Sequence, residues 1–300
     1  MKNITERFPG FKSGFVTIAG APNVGKSTLL NRMLGEKISI TSRKPQTTRN
    51  RILGVLHRPA AQFVFLDTPG IHQAKNTLNV RIVDIALSSM SGADLILFMT
   101  DVTKPDPESE AIVVRKLEKQ KRPVILALNK TDLIRKPVIL TLTDQWTKAY
   151  SFEAVVPISA KHGDQVDELL GEMEKVLPNG PPYFPEDAVT DMPERFIAAE
   201  MIREKVFRFT GQEIPYSTAV TTDSFSEEEK LVRIHATVHV ERSSQKGVII
   251  GKGGSKLKQI GEEARKEIQR MVGAKVFLKL FVRVQKNWSK DTKALRRFGY

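Results

Sequence analysis

Along the first half of the chain, short runs of apolar and β-branched residues alternate with stretches whose apolar positions recur every three or four residues. The runs fall at residues 15–19, 63–66, 95–100, 124–128 and 155–158. Several are apolar almost throughout, the pattern of strands buried on both faces of a parallel sheet. Strands alternating with helical stretches predict right-handed βαβ units and a doubly wound α/β sheet. Residues 177–193, LPNGPPYFPEDAVTDMP, break this rhythm with five prolines and neither a helical nor an alternating period. That segment reads as a semi-rigid linker between a first domain at 1–176 and a second at 194–300.

The second domain has a different pattern. Residues 194–209 place Phe196, Ala199, Ile202, Val206 and Phe209 at helical spacing, predicting an amphipathic helix. Residues 217–222 and 231–240 read as strands, with the acidic stretch 224–230 as the turn between them. Residues 245–250 predict a short helix and 255–271 a long one. Residues 275–284 alternate Val276, Leu278, Leu280, Val282 and Val284 on one face, so they form a strand. The predicted order is αββααβ, an α+β unit behind an α/β one.

Charge adds a direction to this picture. The formal net charge is +13 over 300 residues, and residues 231–300 hold 17 Lys and Arg against 5 Asp and Glu, a net of +12. Basicity concentrated in the last quarter points to a polyanionic partner, either nucleic acid or an anionic membrane surface. The absence of cysteine excludes a disulfide framework and any thiolate zinc site, and is compatible with a reducing cytoplasm. No stretch approaches the roughly 20 apolar residues that cross a bilayer, and the first residues, MKNITERFPGFKSG, show no apolar signal core.

The chemistry-bearing motifs sit after the predicted strands. Gly20-Ala21-Pro22-Asn23-Val24-Gly25-Lys26-Ser27, followed by Thr28, fits G-x-x-x-x-G-K-[ST] between a strand and a helical run. Glycines let the backbone N–H groups wrap a phosphate, and the helix N-terminus adds its dipole. Lys26 is expected to bridge the β- and γ-phosphates, and Ser27 to ligate Mg²⁺. Asp67-Thr68-Pro69-Gly70 ends the next buried run. Its carboxylate suits Mg²⁺, and the Gly70 N–H can sense a γ-phosphate. Asn129-Lys130-Thr131-Asp132 follows residues 124–128. The Asp132 carboxylate can accept from N1–H and the exocyclic amine of guanine, donors that adenine lacks there. Ser159-Ala160-Lys161 adds a backbone N–H for guanine O6. The nucleotide is therefore expected to be GTP or GDP.

Four such loops at strand carboxyl ends resemble the GTPases of the translation-factor-related class. A fifth, polar stretch, Gln46-Thr47-Thr48-Arg49-Asn50, reads as a switch whose threonine closes on Mg²⁺. Thr48 is favoured and Thr47 is the runner-up. Where Ras-type enzymes carry a water-positioning glutamine, this chain has Ile71 and then His72, with Gln73 displaced. This resembles GTPases with a hydrophobic residue at that position, in which an asparagine of the phosphate loop helps hold K⁺ in place of an arginine finger. Asn23 occupies the matching place, so K⁺ is expected as an activating ion. Lys26, Thr48, Gly70 and Asn23 are the expected catalytic set.

In the basic part, Ile249-Ile250-Gly251-Lys252-Gly253-Gly254-Ser255 joins two predicted helices, with Lys256 and Lys258 following. A GKGG loop in an αββααβ order resembles a type II KH domain, whose loop packs against four backbone nucleotides of a single strand. Ile249 and Ile250 are expected to help floor the groove and the lysines to supply charge. Trp288 and Tyr300 in the tail have two readings, stacking on bases or pinning the tail.

The whole arrangement resembles the Era family of bacterial GTPases. GAPNVGKS, QTTRN, DTPG, NKTD, SAK and GKGG fall in that order from about Gly14 to Arg283. The resemblance implies a role in maturing the small ribosomal subunit. It further implies a KH grip on the single-stranded 3′ end of 16S rRNA in the GTP state. A cytoplasmic location with loose peripheral contact at the inner membrane is also implied, and the chain is expected to be a monomer.

Overall fold

The computed structural model describes residues 8–42, 44, 47–73, 77–211, 214 and 218–298. It divides into two compact units, 1–39 with 48–191, and 40–47 with 192–300.

In the first unit the order is β1 (Lys12–Gly20), α1 (Lys26–Leu34), β2 (Ile52–Arg58), β3 (Ala61–Asp67), α2 (Thr77–Ser91), β4 (Leu95–Asp101), α3 (Pro107–Leu117), β5 (Val124–Asn129), α4 (Lys136–Ala149), β6 (Ala154–Ile158) and α5 (Val166–Val176). The six strands form one sheet in the order β2-β3-β1-β4-β5-β6. Five are mutually parallel and β2 runs antiparallel to β3. All seven side chains of β3 and of β4 are buried, as near-continuous apolar runs require. The winding reverses at β1, between β3 and β4, and the carboxyl ends beside such a switch point form the crevice where ligands bind.

Two features escape the pattern. β2 was not among the predicted strands. Its edge is covered by the proline-rich stretch: Val55 N–H donates to the Val189 carbonyl at 2.8 Å and Thr190 Oγ1 to the Leu53 carbonyl at 2.6 Å. Further along, Gln62 binds the backbone of Tyr183 and Phe184. Residues 178–191 are thus fastened to the first unit by backbone and side-chain hydrogen bonds that the sequence pattern does not announce.

The second unit has the order α6 (Glu194–Phe209), β7 (Ala219–Glu228), β8 (Leu231–Val240), α7 (Ser243–Ile250), α8 (Ser255–Val272), β9 (Lys275–Val284) and α9 (Thr292–Arg297). β8 is central, antiparallel to β7 and parallel to β9. Its core gathers Ile202 and Val206 from α6, Ile234, Ala236 and Val238 from β8, and Ile260, Ala264 and Ile268 from α8. The αββααβ order is as expected, but β7 runs on to Glu228, leaving only Glu229 and Lys230 of the stretch read as a turn, and Ser217, its predicted start, lies outside the described residues. The register shifts between Thr222 and Ser224. At this bulge the Asp223 carboxylate accepts from Thr237 Oγ1 at 2.6 Å, so pairing holds a polar strand that burial alone would not.

α6 also departs from expectation. Instead of one apolar stripe, every residue from Ile197 to Phe207 is buried, including Glu200, Arg203, Glu204 and Lys205. The polar face meets Thr41, Lys44 and Thr47, which belong to this unit. Glu204 accepts from Thr41 N–H at 2.9 Å, Arg203 donates to the Thr47 carbonyl, and Lys44 donates to the Thr210 carbonyl at 2.6 Å. Lys205 pairs with Glu204 and Glu267. Buried charges persist only when paired in this way.

Candidate nucleotide and RNA sites

The nucleotide loops leave β1, β3, β5 and β6 at their carboxyl ends. The phosphate loop ends at α1. Lys26 is buried, and its ammonium donates to the carbonyls of Ala21 at 2.8 Å and Gly20 at 3.1 Å. Burial pulls its pKa down to about 8, against the opposing pull of Asp67. Asp67 is fully buried at the end of β3, and burial pushes its carboxyl up while Ser27, Lys26 and Ser39 hold it down. Its Oδ2 accepts from Ser27 Oγ at 2.7 Å and Ser39 Oγ at 2.8 Å, and its Oδ1 has no hydrogen-bond partner among the described residues.

Of the two candidate switch threonines, Thr48 reaches this cluster, its Oγ1 lying 2.9 Å from Ser27 Oγ. Thr47 turns away, donating to the Lys44 carbonyl at 2.7 Å. Gln46 lies outside the described residues. After β3, Thr68 Oγ1 donates to the Ile18 carbonyl at 2.8 Å, and Ile71 N–H to the Gly20 carbonyl at 3.0 Å. These bonds press Gly70 so close to the phosphate loop that a Cβ there would lie 2.6 Å from Pro22 Cα. Ile71 is wholly buried. His72 Nδ1 sits 2.9 Å from the Gly70 carbonyl, and Gln73 is exposed.

The base-reading loops are tied together by Asn129. Its Nδ2 donates to the Val24 carbonyl at 2.6 Å and its Oδ1 accepts from Ala160 N–H at 2.9 Å. One side chain thereby joins the phosphate, NKTD and SAK loops. Lys130, in the left-handed conformation at φ 70°, donates to the Asn23 carbonyl at 3.0 Å and to the Asp101 carboxylate. Ser159 is buried and its N–H donates to the Asp164 carbonyl at 3.1 Å. Lys161 is exposed, and its carbonyl accepts from Arg32. Asp132 has His162 Nε2 3.6 Å away. Asp101, Ser39 and His162 were not foreseen. Asp101 alone had a legible signal, since it ends the apolar run of β4 as Asp67 ends β3.

In the second unit α7 closes with Gly251, and Lys252–Gly254 form a kinked turn before α8. Gly253 and Gly254 follow each other with φ of 58° and 81°, a pair that side-chain-bearing residues disfavour. The loop therefore offers bare backbone, flanked by exposed Lys252 and Lys258 and half-buried Lys256. Ser255 opens α8. Ile250 is half-buried, but Ile249, expected in the groove floor, has no exposed surface and belongs to the core beneath. Below the loop a groove runs between α8 and β9, lined by Leu257, Lys258, Gly261 and the strand 276–280. Trp288 is fully buried, edge-on to Phe298 at 5.2 Å, so it pins the tail. Tyr300 lies outside the described residues.

Fold and loops together define a P-loop GTPase domain followed by a KH domain. Residues 15–130 match the family described as 50S ribosome-binding GTPase, and residues 213–289 match the KH domain. The chain is 56% identical to GTPase Era of Geobacter metallireducens over 97% of this chain and 98% of the relative. It is 45% identical to GTPase Era of Staphylococcus haemolyticus over 96% and 97%. A crystal structure of Era in complex with MgGDPNP and nucleotides 1506–1542 of 16S ribosomal RNA superposes with a TM-score of 0.93 at 43% identity, covering 97% of this chain and 99% of that one. An Aquifex aeolicus Era variant bound to GDP and AlF4⁻ superposes with a TM-score of 0.93 at 42% identity, with the same coverage. The chain belongs to the Era family of GTPases, and it hydrolyses GTP.

Proposed function

We propose that the chain is a GTP-driven switch that grips the single-stranded 3′ end of 16S rRNA with its KH unit and assists maturation of the small ribosomal subunit. The observation that carries this reading is the bare GKGG backbone between α7 and α8. It is supported by the relative of 43% identity whose structure contains that RNA.

Phosphoryl transfer is chiefly a matter of position and charge. Lys26 would meet the β- and γ-phosphates, where their charge favours its ammonium form. Asp132 would read guanine, Lys130 would pack over the base, and the Ala160 N–H, oriented by Asn129, would meet O6. Gly70 N–H would sense the γ-phosphate. Ile71 is buried and the neighbouring His72 ring is engaged at the Gly70 carbonyl, so neither of these two takes the glutamine's place.

The residues fit Mg²⁺. Ser27, Thr48 and Asp67 bring hard oxygens together, and the buried Asp67 Oδ1 accepts no hydrogen bond among the described residues. Bound there, Mg²⁺ supplies charge neutralisation at the phosphates. K⁺ activation rests on Asn23, exposed at the lip of the phosphate loop with φ 64°. Turnover is expected to be faster in K⁺ than in Na⁺, and equal rates would remove that role.

RNA affinity is expected to be higher with a non-hydrolysable GTP analogue than with GDP, and RNA should favour the GTP state in return, since coupling is reciprocal. The test is binding of a single strand copying the 16S 3′ end, at fixed salt because phosphate contacts are salt-dependent. Sequence-blind binding, identical in both nucleotide states, would remove the switch and leave the GTPase. The basic unit would also suit an anionic membrane surface, and flotation with vesicles against RNA capture separates the two.

A further inference from the structure

The Asp67 carboxylate is held by more than the residues assigned to the ion. Its Oδ2 takes two donors, Ser27 Oγ at 2.7 Å and Ser39 Oγ at 2.8 Å, and its Oδ1 accepts no hydrogen bond among the described residues. The last torsion of an aspartate side chain is broad and roughly two-fold, so one donor alone does not decide which oxygen it engages. Ser27 is a poor sole anchor, because its oxygen also lies 2.9 Å from Thr48 Oγ1. A second donor on the same oxygen fixes which oxygen is engaged within the protein and which is left over.

That second donor is itself built into place. α1 ends at Leu34, and Gly35 turns the chain in the left-handed conformation at φ 72°. The returning chain is clamped by Asn31. Asn31 Oδ1 accepts from Ile38 N–H at 3.1 Å and from Ser39 N–H at 3.0 Å, and its Nδ2 donates to the Ser39 carbonyl at 2.7 Å. Both polar atoms of Asn31 are thus engaged by this backbone. The Ile38 side chain is buried where β2 lacks one: a Cβ at Gly54 would lie 3.1 Å from Ile38 Cδ1 and 2.7 Å from Leu34 Cδ1. Ser39 is left only 2% exposed.

Ser27 and Asn31 stand four positions apart in α1, on one face of the helix. The helix therefore reaches Asp67 twice, directly through Ser27 and at one remove through Asn31 and Ser39. The ring lies wholly in the first unit. Each serine hydroxyl has one proton, and both give it to the carboxylate. Ser27 keeps lone pairs for an ion, while Ser39 serves the carboxylate.

We infer that Ser39, seated by Asn31, is a positioning residue for Mg²⁺, which keeps Asp67 Oδ2 engaged so that Oδ1 stays available to the ion. Groups that orient a metal ligand are typically worth ten- to a hundred-fold in metal affinity. The inference rests on reading Ser27 and Asp67 as the Mg²⁺ site, and its test separates the two. Full-length protein is loaded with GDP carrying an N-methylanthraniloyl label. Release is followed by fluorescence after a chase with excess GDP, over a range of Mg²⁺ concentrations and in EDTA. Ser39→Ala is expected to need about ten-fold more Mg²⁺ for half-maximal slowing of release, and to release within about two-fold of wild type in EDTA. Asn31→Ala should shift the Mg²⁺ midpoint in the same direction. In an Asp67→Asn background, Ser39→Ala should change nothing further, because both act through one carboxylate. An unchanged Mg²⁺ midpoint for Ser39→Ala, or release accelerated equally with and without Mg²⁺, would overturn the inference and leave Ser39 a packing residue. An effect that persists in full in the Asp67→Asn background would overturn it too. A wild type whose release is not accelerated by EDTA would overturn the Mg²⁺ reading itself.

Discussion

The two binding regions are built in opposite ways. The nucleotide loops are fixed from within: Asn129 spans three of them, Thr68 and Ile71 fasten the segment after β3, and Lys26 and Asp67 are buried. The KH loop has no such side-chain scaffold. It relies on consecutive glycines in left-handed conformations and on surface lysines. Chemistry on a phosphate demands charges placed to within fractions of an ångström. Gripping a polyanionic strand demands access to backbone and diffuse positive charge. Damage should therefore be steep and local in the first region and graded in the second.

The largest effect is expected from Lys26→Ala, which should lower the rate of GTP hydrolysis about 10³-fold, read as phosphate release at saturating GTP. A fall of less than about ten-fold would mean that the phosphate loop does not work through this ammonium. Asp132→Ala should reduce GTP affinity about 100-fold, since it removes an acceptor for two donors of the base. Isothermal titration would show it, and an intact preference for GTP over ATP would move base reading elsewhere. In the KH loop, Gly253→Asp should weaken RNA binding by roughly ten- to thirty-fold. It adds a like charge near phosphates and a side chain at φ 58°. RNA affinity equal to wild type would dissociate the loop from the grip.

The smallest predicted effect is on stability. Burial, with Arg297 and Arg283 nearby, takes the His239 pKa from 6.5 to about 4, against a smaller upward pull from Asp223. Between those values the unfolded chain binds a proton that the folded one refuses. Stability is therefore intact above pH 6.5 and is lost as pH falls. The second unit should lose roughly 1 kcal/mol between pH 7 and 5.5, measurable by urea unfolding followed by circular dichroism. His239→Leu should flatten that slope, and an unchanged slope would place the titrating group elsewhere.

Much of this was legible because the chemistry dictates residue types at fixed spacing. The run from Gly20 to Ser27 and the loops at Asp67, Asn129 and Gly251 are short, contiguous and locally determined. What escaped depends on partners distant in sequence. β2 owes its covered edge to residues 188–190, more than a hundred positions away. α6 reads as amphipathic because nothing local reveals that Glu204 and Arg203 will bind the backbone of residues 41 and 47. Ile249 looks like groove lining by its place beside Ile250, yet a helix turns adjacent residues about 100° apart, and only one of them faces out.

The two tryptophans have a practical consequence. Trp146 packs edge-on to Phe98 at 5.5 Å in the first unit, and Trp288 lies sealed against Phe298 in the second. The chain holds no others. Replacing either one with phenylalanine leaves an intrinsic fluorophore in the other unit alone. The order in which the two halves melt, and whether nucleotide shifts one transition or both, can then be followed by emission without attaching a dye.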